Sequence, residues 1–394
     1  MKKQIWNNFA VLSMLLTLLL TAASAQTITP VYGANAGLYL TGAIAQVDYL
    51  TVPGFVVTAA CYAANHTLEV AVWEDTGSQL INTGSYNSGA SCGQTSVASL
   101  FNTSSQGYTT VVTATTGYNG VLSIAAWQIG PSGSIAPLGT PATATGDVGY
   151  VDITSNTASM VVTSAIFFGS SSLTRQVATW NVPSTGDINQ LHSVSQSGFY
   201  NLETAITHLN STQAVTADLV NSTGDLAVTA WAIDSEGDVS EQGVLTAGTA
   251  SELVIAPYFQ AATPAVITGF VNGSNQLEFI TWGVSSTGNV TRQLTLNKGA
   301  TTSAPAITFI PSPLLTFADV LGGNDVLDGM VFRQSGSSID EVADYHTSWV
   351  YYPSLPQGAA PLSGTRVATL SQNDNDCDQY GDCELELEVW SYSN

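Results

Sequence analysis

The chain has 394 residues, of which 44% are hydrophobic and only 9% are charged, and its formal net charge is −22. A chain this apolar can bury enough surface to fold, so it is not an intrinsically disordered protein. With seven Lys and Arg against 29 Asp and Glu, nucleic acid is excluded as a partner and phosphorylated substrates are disfavoured, because both are bound mainly through cationic side chains.

The first 25 residues have the features of a secretory signal peptide. Two lysines precede an apolar run at 11–20, and the small residues Ala-Ser-Ala at 23–25 provide a cleavage site. No later segment contains the roughly 20 apolar residues that a membrane-spanning helix needs. We therefore expect a mature chain of residues 26–394 that is not membrane-embedded and is secreted or periplasmic.

The remainder of the chain repeats one pattern about every 50 residues. A β-branched strand and a polar turn precede a strand with a central tryptophan, and a further apolar stretch completes the repeat. The tryptophans are Trp73, Trp127, Trp180, Trp231, Trp282 and Trp390. Phe332 lies near the middle of the double-length gap before Trp390 and takes the seventh place. The completing stretches lie at 96–101, 149–153, 252–259 and 306–310.

A glycine follows the tryptophan by six residues in four of the repeats, and an apolar residue comes two positions later. These glycines are Gly133, Gly186, Gly237 and Gly288. Glycine adopts the positive φ that a tight hairpin turn requires, so the pattern predicts a hairpin after each of these tryptophan strands.

The tryptophan strands are apolar on both faces. Around Trp231, for example, Leu226 and Val228 alternate with Trp231 and Ile233. Strands buried on both sides are expected where sheets pack face to face. We therefore predict that the repeated aromatic residues form the core between sheets; the alternative is that they stack on sugar rings.

The two ends of the chain complement each other. The last repeat ends four residues after Trp390 and lacks the strand that follows the hairpin elsewhere, whereas residues 27–31 match that strand as it occurs at 134–138. We therefore predict that the N-terminal segment pairs with the C-terminal repeat and removes a free sheet edge.

These repeats resemble those of β-propeller proteins, in which four-stranded sheets are arranged around a central axis. The resemblance covers nearly all of residues 26–394. It implies a single all-β domain, a seven-bladed propeller of four-stranded blades, whose ring is closed by the N-terminal strand or strands joining the C-terminal blade. It implies no particular function, because propellers include lectins, enzymes and protein scaffolds.

An acidic insertion precedes Trp390 in the last repeat. Its aspartates are Asp374, Asp376, Asp378 and Asp382. Their spacing resembles the D-x-D-x-D-x-x-x-D calcium loops of integrin α-type propellers, although Gln379 stands where those loops have glycine. Alternating carboxylates in a tight loop can surround one Ca²⁺ ion. The spacing thus predicts a calcium site, and the alternative is a solvated acidic hairpin.

The four cysteines suit an oxidising compartment and permit three pairings. We favour Cys377 with Cys383, which are close in sequence across the acidic hairpin. The other pair is then Cys61 with Cys92, which both belong to the first repeat.

Regular repeats with few ionisable residues favour a non-catalytic, monomeric binding or interaction module for an extracellular glycan or protein. The candidate ligand-binding patch is aromatic and comprises Trp349, Tyr351 and Tyr352. The alternative for this segment is an irregular strand packed under a loop.

The alternative function is an enzyme, a hydrolase or lyase, whose acids or metal lie in a central channel. No catalytic residue can be identified, but acids of different repeats could converge there: Asp152, Glu203, Asp218, Glu252 and Asp319. A channel lined instead by Thr, Ala and Val would remove the basis of this hypothesis.

Overall fold

In the computed structural model, the regular elements of the described residues are all β-strands. The structure describes residues 26–39, 46–50, 54–62, 65–103, 107–117, 119–169, 172–220, 224–260, 264–301, 305–311, 314–321, 327–335, 337–346, 355–373 and 383–393. The prediction of an all-β chain is confirmed for these residues. Among the described residues, no helix is long and apolar enough to span a membrane. The predicted signal peptide lies outside them.

The strands fall into seven groups, each with one of the seven repeated aromatic positions. Group 1 contains β2 (Gln46–Tyr49), β3 (Phe55–Tyr62), β4 (Thr67–Asp75) and β5 (Leu80–Ser91). Group 2 contains β6 (Gln94–Thr103), β7 (Thr109–Thr116), β8 (Leu122–Ile129) and β9 (Ile135–Ala144). Group 3 contains β10 (Val148–Thr157), β11 (Met160–Phe168), β12 (Leu173–Asn181) and the first half of β13 (Asn189–Asn210).

The remaining groups continue the same order. Group 4 contains the second half of β13, then β14 (Gln213–Val220), β15 (Asp225–Ile233) and the first half of β16 (Val239–Pro257). Group 5 contains the second half of β16, then β17 (Ala265–Asn272), β18 (Gln276–Val284) and β19 (Val290–Ala300). Group 6 contains β20 (Ala306–Ile310), β21 (Leu315–Leu321), β22 (Leu327–Ser335) and β23 (Ser338–His346). Group 7 contains β24 (Leu355–Pro361), β25 (Arg366–Asn373), β26 (Cys383–Ser393) and β1 (Thr27–Tyr39).

Within each group, strands adjacent in sequence pair antiparallel, and in group 7 β26 also pairs with β1. Backbone pairing continues between some groups, so that groups 3 to 5 form one ten-stranded sheet and groups 7 and 1 form one eight-stranded sheet. The four apolar stretches expected to complete a repeat instead begin the next group, because they pair with the strand that follows them; they lie at 96–101, 149–153, 252–259 and 306–310. The strands β13 and β16 serve two groups each: residues 189–199 pair with β12, and residues 204–210 pair with β14.

The terminal strands pair as predicted. The antiparallel register between β1 and β26 runs from Thr27 opposite Ser393 to Tyr39 opposite Cys383. The N-terminal strand is therefore the outermost strand of group 7, which supplies the strand that the last repeat lacks.

A partly buried ion pair connects group 7 to group 1. Arg366, at the start of β25, places Nη1 2.8 Å from Oδ2 of Asp75, whose side chain is fully buried at the end of β4. The same Nη1 donates to the hydroxyl of Tyr32 at 2.8 Å, and that hydroxyl donates to Asp75. The N-terminal strand is thus connected both to its own group and to the following one.

The first strands of the groups contact one another in sequence order. The contacts join β2 to β6, β6 to β10, β10 to β13, β13 to β16, β16 to β20, β20 to β24, and β24 to β2. The series therefore returns to the strand where it began.

The repeated aromatic residues are buried, as predicted, between adjacent groups. Each of the six tryptophans donates its indole N–H to a threonine hydroxyl of the preceding strand at 2.9–3.1 Å, the acceptors being Thr58, Thr113, Thr163, Thr216, Thr268 and Thr369. In group 6, Phe332 pairs with Thr316, so Ala318 occupies the acceptor position. Phenylalanine has no N–H to satisfy, and the threonine is absent where the tryptophan is absent.

Removing the threonine acceptor should therefore lower the free energy of unfolding more when the tryptophan is present than when phenylalanine replaces it. We expect Thr268→Ala to lower the free energy of unfolding by about 1–3 kcal/mol, because the buried N–H of Trp282 loses its acceptor. In a Trp282→Phe background, the same substitution should cost less, because the pair then resembles Phe332 and Ala318. Chemical denaturation of the four proteins in this double-mutant cycle measures the difference. Additive effects would refute the coupling.

The four hairpin glycines have positive φ values of 77–89°, which confirms the predicted turns. Their second role was not predicted. An added Cβ at Gly237 would lie 2.4 Å from Cδ1 of Leu191, and one at Gly186 would lie 2.3 Å from the carbonyl oxygen of Leu138. Each of these turns packs against the outer strand of the preceding group, so the glycines also allow neighbouring groups to approach closely.

Candidate functional site

A cavity of about 450 Å³ lies among the first strands of all seven groups. Its wall contains residues of β2, β6, β10, β13, β16, β20 and β24. The volume lies within the range of small-molecule sites in proteins. We call this cavity the channel.

A ring of aliphatic residues surrounds the middle of the channel. In each group, one residue of the first strand pairs with the threonine that accepts the tryptophan N–H, or with Ala318 in group 6. This residue is Val, Ile or Ala. These residues are Val47, Val97, Ile153, Ile206, Ile255, Ile307 and Ala359. All seven line the channel, and we call them the aliphatic girdle.

Asp152 lies in the channel wall and connects three groups. Its Oδ1 accepts hydrogen bonds from the Ser96 hydroxyl at 2.6 Å and from the backbone N–H of Ile153 at 2.9 Å. Its Oδ2 accepts the backbone N–H of Ile206 at 2.8 Å. Burial raises the pKa of this carboxyl, and the three hydrogen bonds offset only part of that effect. Much of its hydrogen-bonding capacity is therefore used to hold neighbouring strands together.

Asp48, on the first strand of group 1, is the second carboxyl of the channel wall. It accepts the backbone N–H of Ser99, in group 2, at 2.6 Å and the backbone N–H of Tyr49 at 2.8 Å. Burial raises the pKa of Asp48 to about 7 despite these hydrogen bonds. Among the described residues that line the channel, none is Lys or Arg, so neither carboxylate has a cationic side chain beside it there.

One end of the channel is rich in aromatic side chains. Tyr49, His208 and Phe309 each lie two positions after a girdle residue on their strands and line the channel. Phe259 packs edge-on against Phe309, with 4.8 Å between the ring centroids, and its side chain is 49% exposed. Burial lowers the pKa of His208, which keeps its imidazole neutral at pH 7. We call Tyr49, His208, Phe259 and Phe309 the aromatic mouth.

The five acids expected to meet at the channel do not converge. Asp152 lines it, but Asp218 and Asp319 lie on β14 and β21, the second strands of their groups, where they are buried. Glu203 and Glu252 lie near the start of the channel segments of β13 and β16, interact with each other and are absent from the described channel wall. Of the five acids, Asp152 alone lines the described wall, while Glu203 acts electrostatically on Tyr150, which also lines it.

Sequence reasoning missed Asp48. A signal existed, because the dipeptide Val-Asp occurs in the first strands of both group 1 and group 3, at 47–48 and 151–152. Its significance depended on knowing that both strands border one cavity.

The predicted disulfide between Cys61 and Cys92 is confirmed. It connects the end of β3 to the crossover between β5 and β6, and so fixes the passage from group 1 to group 2. Cys383 is also disulfide-bonded, but Cys377 lies outside the described residues, and their pairing stays a prediction.

Two further predicted sites lie outside the described residues. They are the calcium ligands Asp374, Asp376, Asp378 and Asp382 and the aromatic patch Trp349, Tyr351 and Tyr352. Both stay predictions.

Comparison with known proteins identifies a fold and no family. No family model and no curated protein matches the chain. Similar solved structures include a protein from Lactobacillus plantarum, with 12% identity and a TM-score of 0.52 over 81% of this chain and 88% of that chain. A protein from Bacteroides fragilis proposed to be a 6-phosphogluconolactonase has 9% identity and a TM-score of 0.53 over 95% of this chain and 99% of that chain. Sqt1 from Chaetomium thermophilum has 10% identity and a TM-score of 0.51 over 87% of this chain and 82% of that chain.

At these identities the likeness concerns the fold alone. Four-stranded antiparallel sheets arranged around a central channel define a β-propeller, and the chain has this architecture.

Proposed function

We propose that the seven strand groups are the blades of a closed propeller and that the N-terminal strand completes the last blade. The cyclic contacts among the first strands support this proposal. The pairing of β1 with β26 and the contact of Tyr32 and Arg366 with Asp75 support it at the junction of groups 7 and 1. Closure removes the free edges that an open array of sheets would expose.

We infer that this propeller is a secreted, non-catalytic binding module whose ligand occupies the channel. The observation that carries the inference is the composition of the channel wall. The aliphatic girdle and the aromatic mouth provide apolar contact area, while Asp48 and Asp152 accept hydrogen bonds from the backbone of neighbouring strands. Such a wall suits a ligand held by apolar contacts and a few polar groups.

The enzyme hypothesis has less support. General acid-base catalysis needs carboxyl or imidazole groups directed at a substrate, whereas most acids considered for this role lie away from the described channel wall. A phosphorylated sugar substrate, suggested by the relative from Bacteroides fragilis, is disfavoured further. The described wall carries two carboxyls and neither Lys nor Arg, and such a surface repels phosphate.

Three proposals concern residues outside the described part of the chain. Residues 1–25 would be a cleaved signal peptide, the four aspartates of the acidic insertion would bind Ca²⁺, and the aromatic patch at 349–352 would contribute to binding an extracellular glycan or protein. The first is compatible with the Cys61–Cys92 disulfide, since such bonds persist in oxidising compartments.

Filling the channel tests the proposed binding function. Ala359 belongs to the girdle, and Ala359→Phe would place a ring in the channel. We expect small apolar compounds that show saturation-transfer NMR signals with the wild-type protein to lose them with this variant. Val244→Phe, on an exposed part of β16, is the matched control and should preserve the signals. Binding that Ala359→Phe leaves unchanged, or no binding by any compound, would contradict the proposal.

A further inference from the structure

We propose that the channel binds an organic cation, a primary amine with an apolar group. Its ammonium would lie at Asp48, and its apolar group would contact the aliphatic girdle and the aromatic mouth. This inference rests on the proposed function, because it assigns a ligand class to the same channel.

Two other buried carboxylates of this chain have a cationic partner. Asp218 is paired with Arg175, and Asp75 is paired with Arg366. Asp48 and Asp152 face a cavity whose described wall contains no Lys or Arg. Because a buried carboxylate is stable only when paired or well hydrogen-bonded, a cationic ligand would supply the partner that the wall lacks.

Three further buried carboxyls, Glu203, Asp319 and Glu388, also form no ion pair among the described residues. None of them lines the described channel wall; Asp319 interacts with Glu388, and Glu203 interacts with Glu252. They are therefore not reached by a ligand in the channel. Asp48 differs because it faces a space large enough for a small molecule.

The position of Asp48 on its strand also favours a cationic ligand. On β2 it lies directly after the girdle residue Val47 and directly before Tyr49 of the aromatic mouth. Each of the two carboxylate oxygens accepts one backbone N–H, and the Ser99 side chain is a further hydrogen-bond partner. Because a carboxylate has about four acceptor positions, one stays available for an ammonium. An amine held there would have apolar contacts on one side and aromatic rings on the other.

The charge of the whole chain and the aromatic mouth also favour a cation. A net charge of −22 produces a negative potential, and a narrow channel with low-dielectric walls concentrates it. Aromatic faces attract cations through the ring quadrupole, and Phe259 is half exposed at the entrance. Both effects favour a cationic ligand over an anionic one of the same size.

Three probes with the same alkyl chain separate charge from apolar contact: hexylammonium, 1-hexanol and hexanoate. We expect isothermal titration calorimetry to give a Kd for hexylammonium at least about tenfold lower than for 1-hexanol, as expected for one favourable partly buried ion pair, with hexanoate the weakest. Asp48→Asn should raise the Kd of hexylammonium to that of 1-hexanol. Asp340→Asn, which removes the same charge from an exposed position of β23, should leave it unchanged.

The pH dependence in the wild-type protein provides a second test that needs no substitution. Hexylammonium stays protonated from pH 6 to pH 8, as lysine does. The pKa of Asp48 is about 7, so its carboxyl takes up a proton as the pH falls through this range. Protonation of Asp152 or His208 at lower pH would also weaken the binding of a cation. We therefore expect the Kd of hexylammonium to rise from pH 8 to pH 6, while that of 1-hexanol changes little.

The outcomes distinguish the two proposals. If 1-hexanol or hexanoate binds in the channel as tightly as hexylammonium, the cation specificity is wrong and the proposed binding function stands. If hexylammonium binds tightly but Asp48→Asn has no effect and the Kd does not change with pH, Asp48 is not its partner and the inference fails. If none of the probes binds and the Ala359→Phe experiment also finds no ligand, both proposals fail.

Discussion

Asp218→Ala is expected to lower the free energy of unfolding by about 3–5 kcal/mol, the cost of breaking a buried ion pair. Asp218 is fully buried on β14, and its partner Arg175, on β12, is only 2% exposed. The guanidinium also donates to Thr216 at 2.9 Å and to Gln196. The guanidinium carbon Cζ lies 4.9 Å from the ring centroids of Phe199 and Trp231. These contacts fix Arg175 in place, so it cannot reach water when Asp218 is removed.

An exposed ion pair of the same chain provides the control. Arg292, which is 43% exposed, pairs with Glu278 at 2.9 Å. Arg292→Ala should cost no more than about 1 kcal/mol, because water and salt screen such pairs. Urea denaturation followed by tryptophan fluorescence measures both variants. Equal costs for Asp218→Ala and Arg292→Ala would mean that the Arg175 network does not hold groups 3 and 4 together.

The second large effect is a loss of stability as the pH rises, caused by the buried carboxyls Asp319 and Glu388. Burial, and then the nearby charge of Glu386, raise the pKa of Glu388 to about 7. Burial raises the pKa of Asp319 well above its usual value, as do Glu388 and Asp328, and the Thr369 hydroxyl opposes this shift. Both groups belong to the contact between groups 6 and 7.

The sign follows from proton binding. In the unfolded chain these carboxyls ionise near pH 4. Between about pH 4 and pH 7 the folded protein therefore binds more protons than the unfolded chain, and the free energy of unfolding falls as the pH rises through this window. For Glu388 the loss is about 3 kcal/mol. The raised pKa values of Asp48, Asp152, Glu203 and Asp328 act in the same direction. The raised pKa of His346 does so only above about pH 6.5, and the lowered pKa of His208 acts against the effect.

Glu388→Gln isolates the part of this pH dependence that comes from Glu388. We expect this variant to have a higher Tm than the wild type at pH 8 and a similar Tm at pH 5, so that its stability varies less with pH. Glu236→Gln, at an exposed hairpin position, should follow the wild-type profile. Differential scanning calorimetry at both pH values makes the comparison. A Glu388→Gln variant less stable than the wild type at pH 8 would show that the ionised carboxylate stabilises the fold.

The repeat and its aromatic core could be predicted from the sequence because both depend on local periodicity. Phe332 could be placed by spacing alone, and its burial on β22 agrees. The grouping of strands could not be predicted, because an apolar stretch such as 306–310 can pair with either neighbour in sequence. The pairing of Arg175 with Asp218 could not be predicted either, since 43 residues separate them.

The candidate site was hidden for a different physical reason. The aliphatic girdle takes one aliphatic residue from each of seven strands, and in sequence these residues are indistinguishable from core residues. Only the register with the threonine positions shows that Val47 and Ile255 occupy equivalent places around one cavity. The same register shows that Asp48 directly follows a girdle residue and so borders the channel.

A crystal structure of the protein grown with hexylammonium tests the central claim, a closed propeller whose channel is a ligand site. We predict that the ammonium nitrogen lies within hydrogen-bonding distance of the Asp48 carboxylate, in a channel that all seven first strands enclose. A gap between β24 and β2, or an empty channel with the probe bound elsewhere, would contradict it.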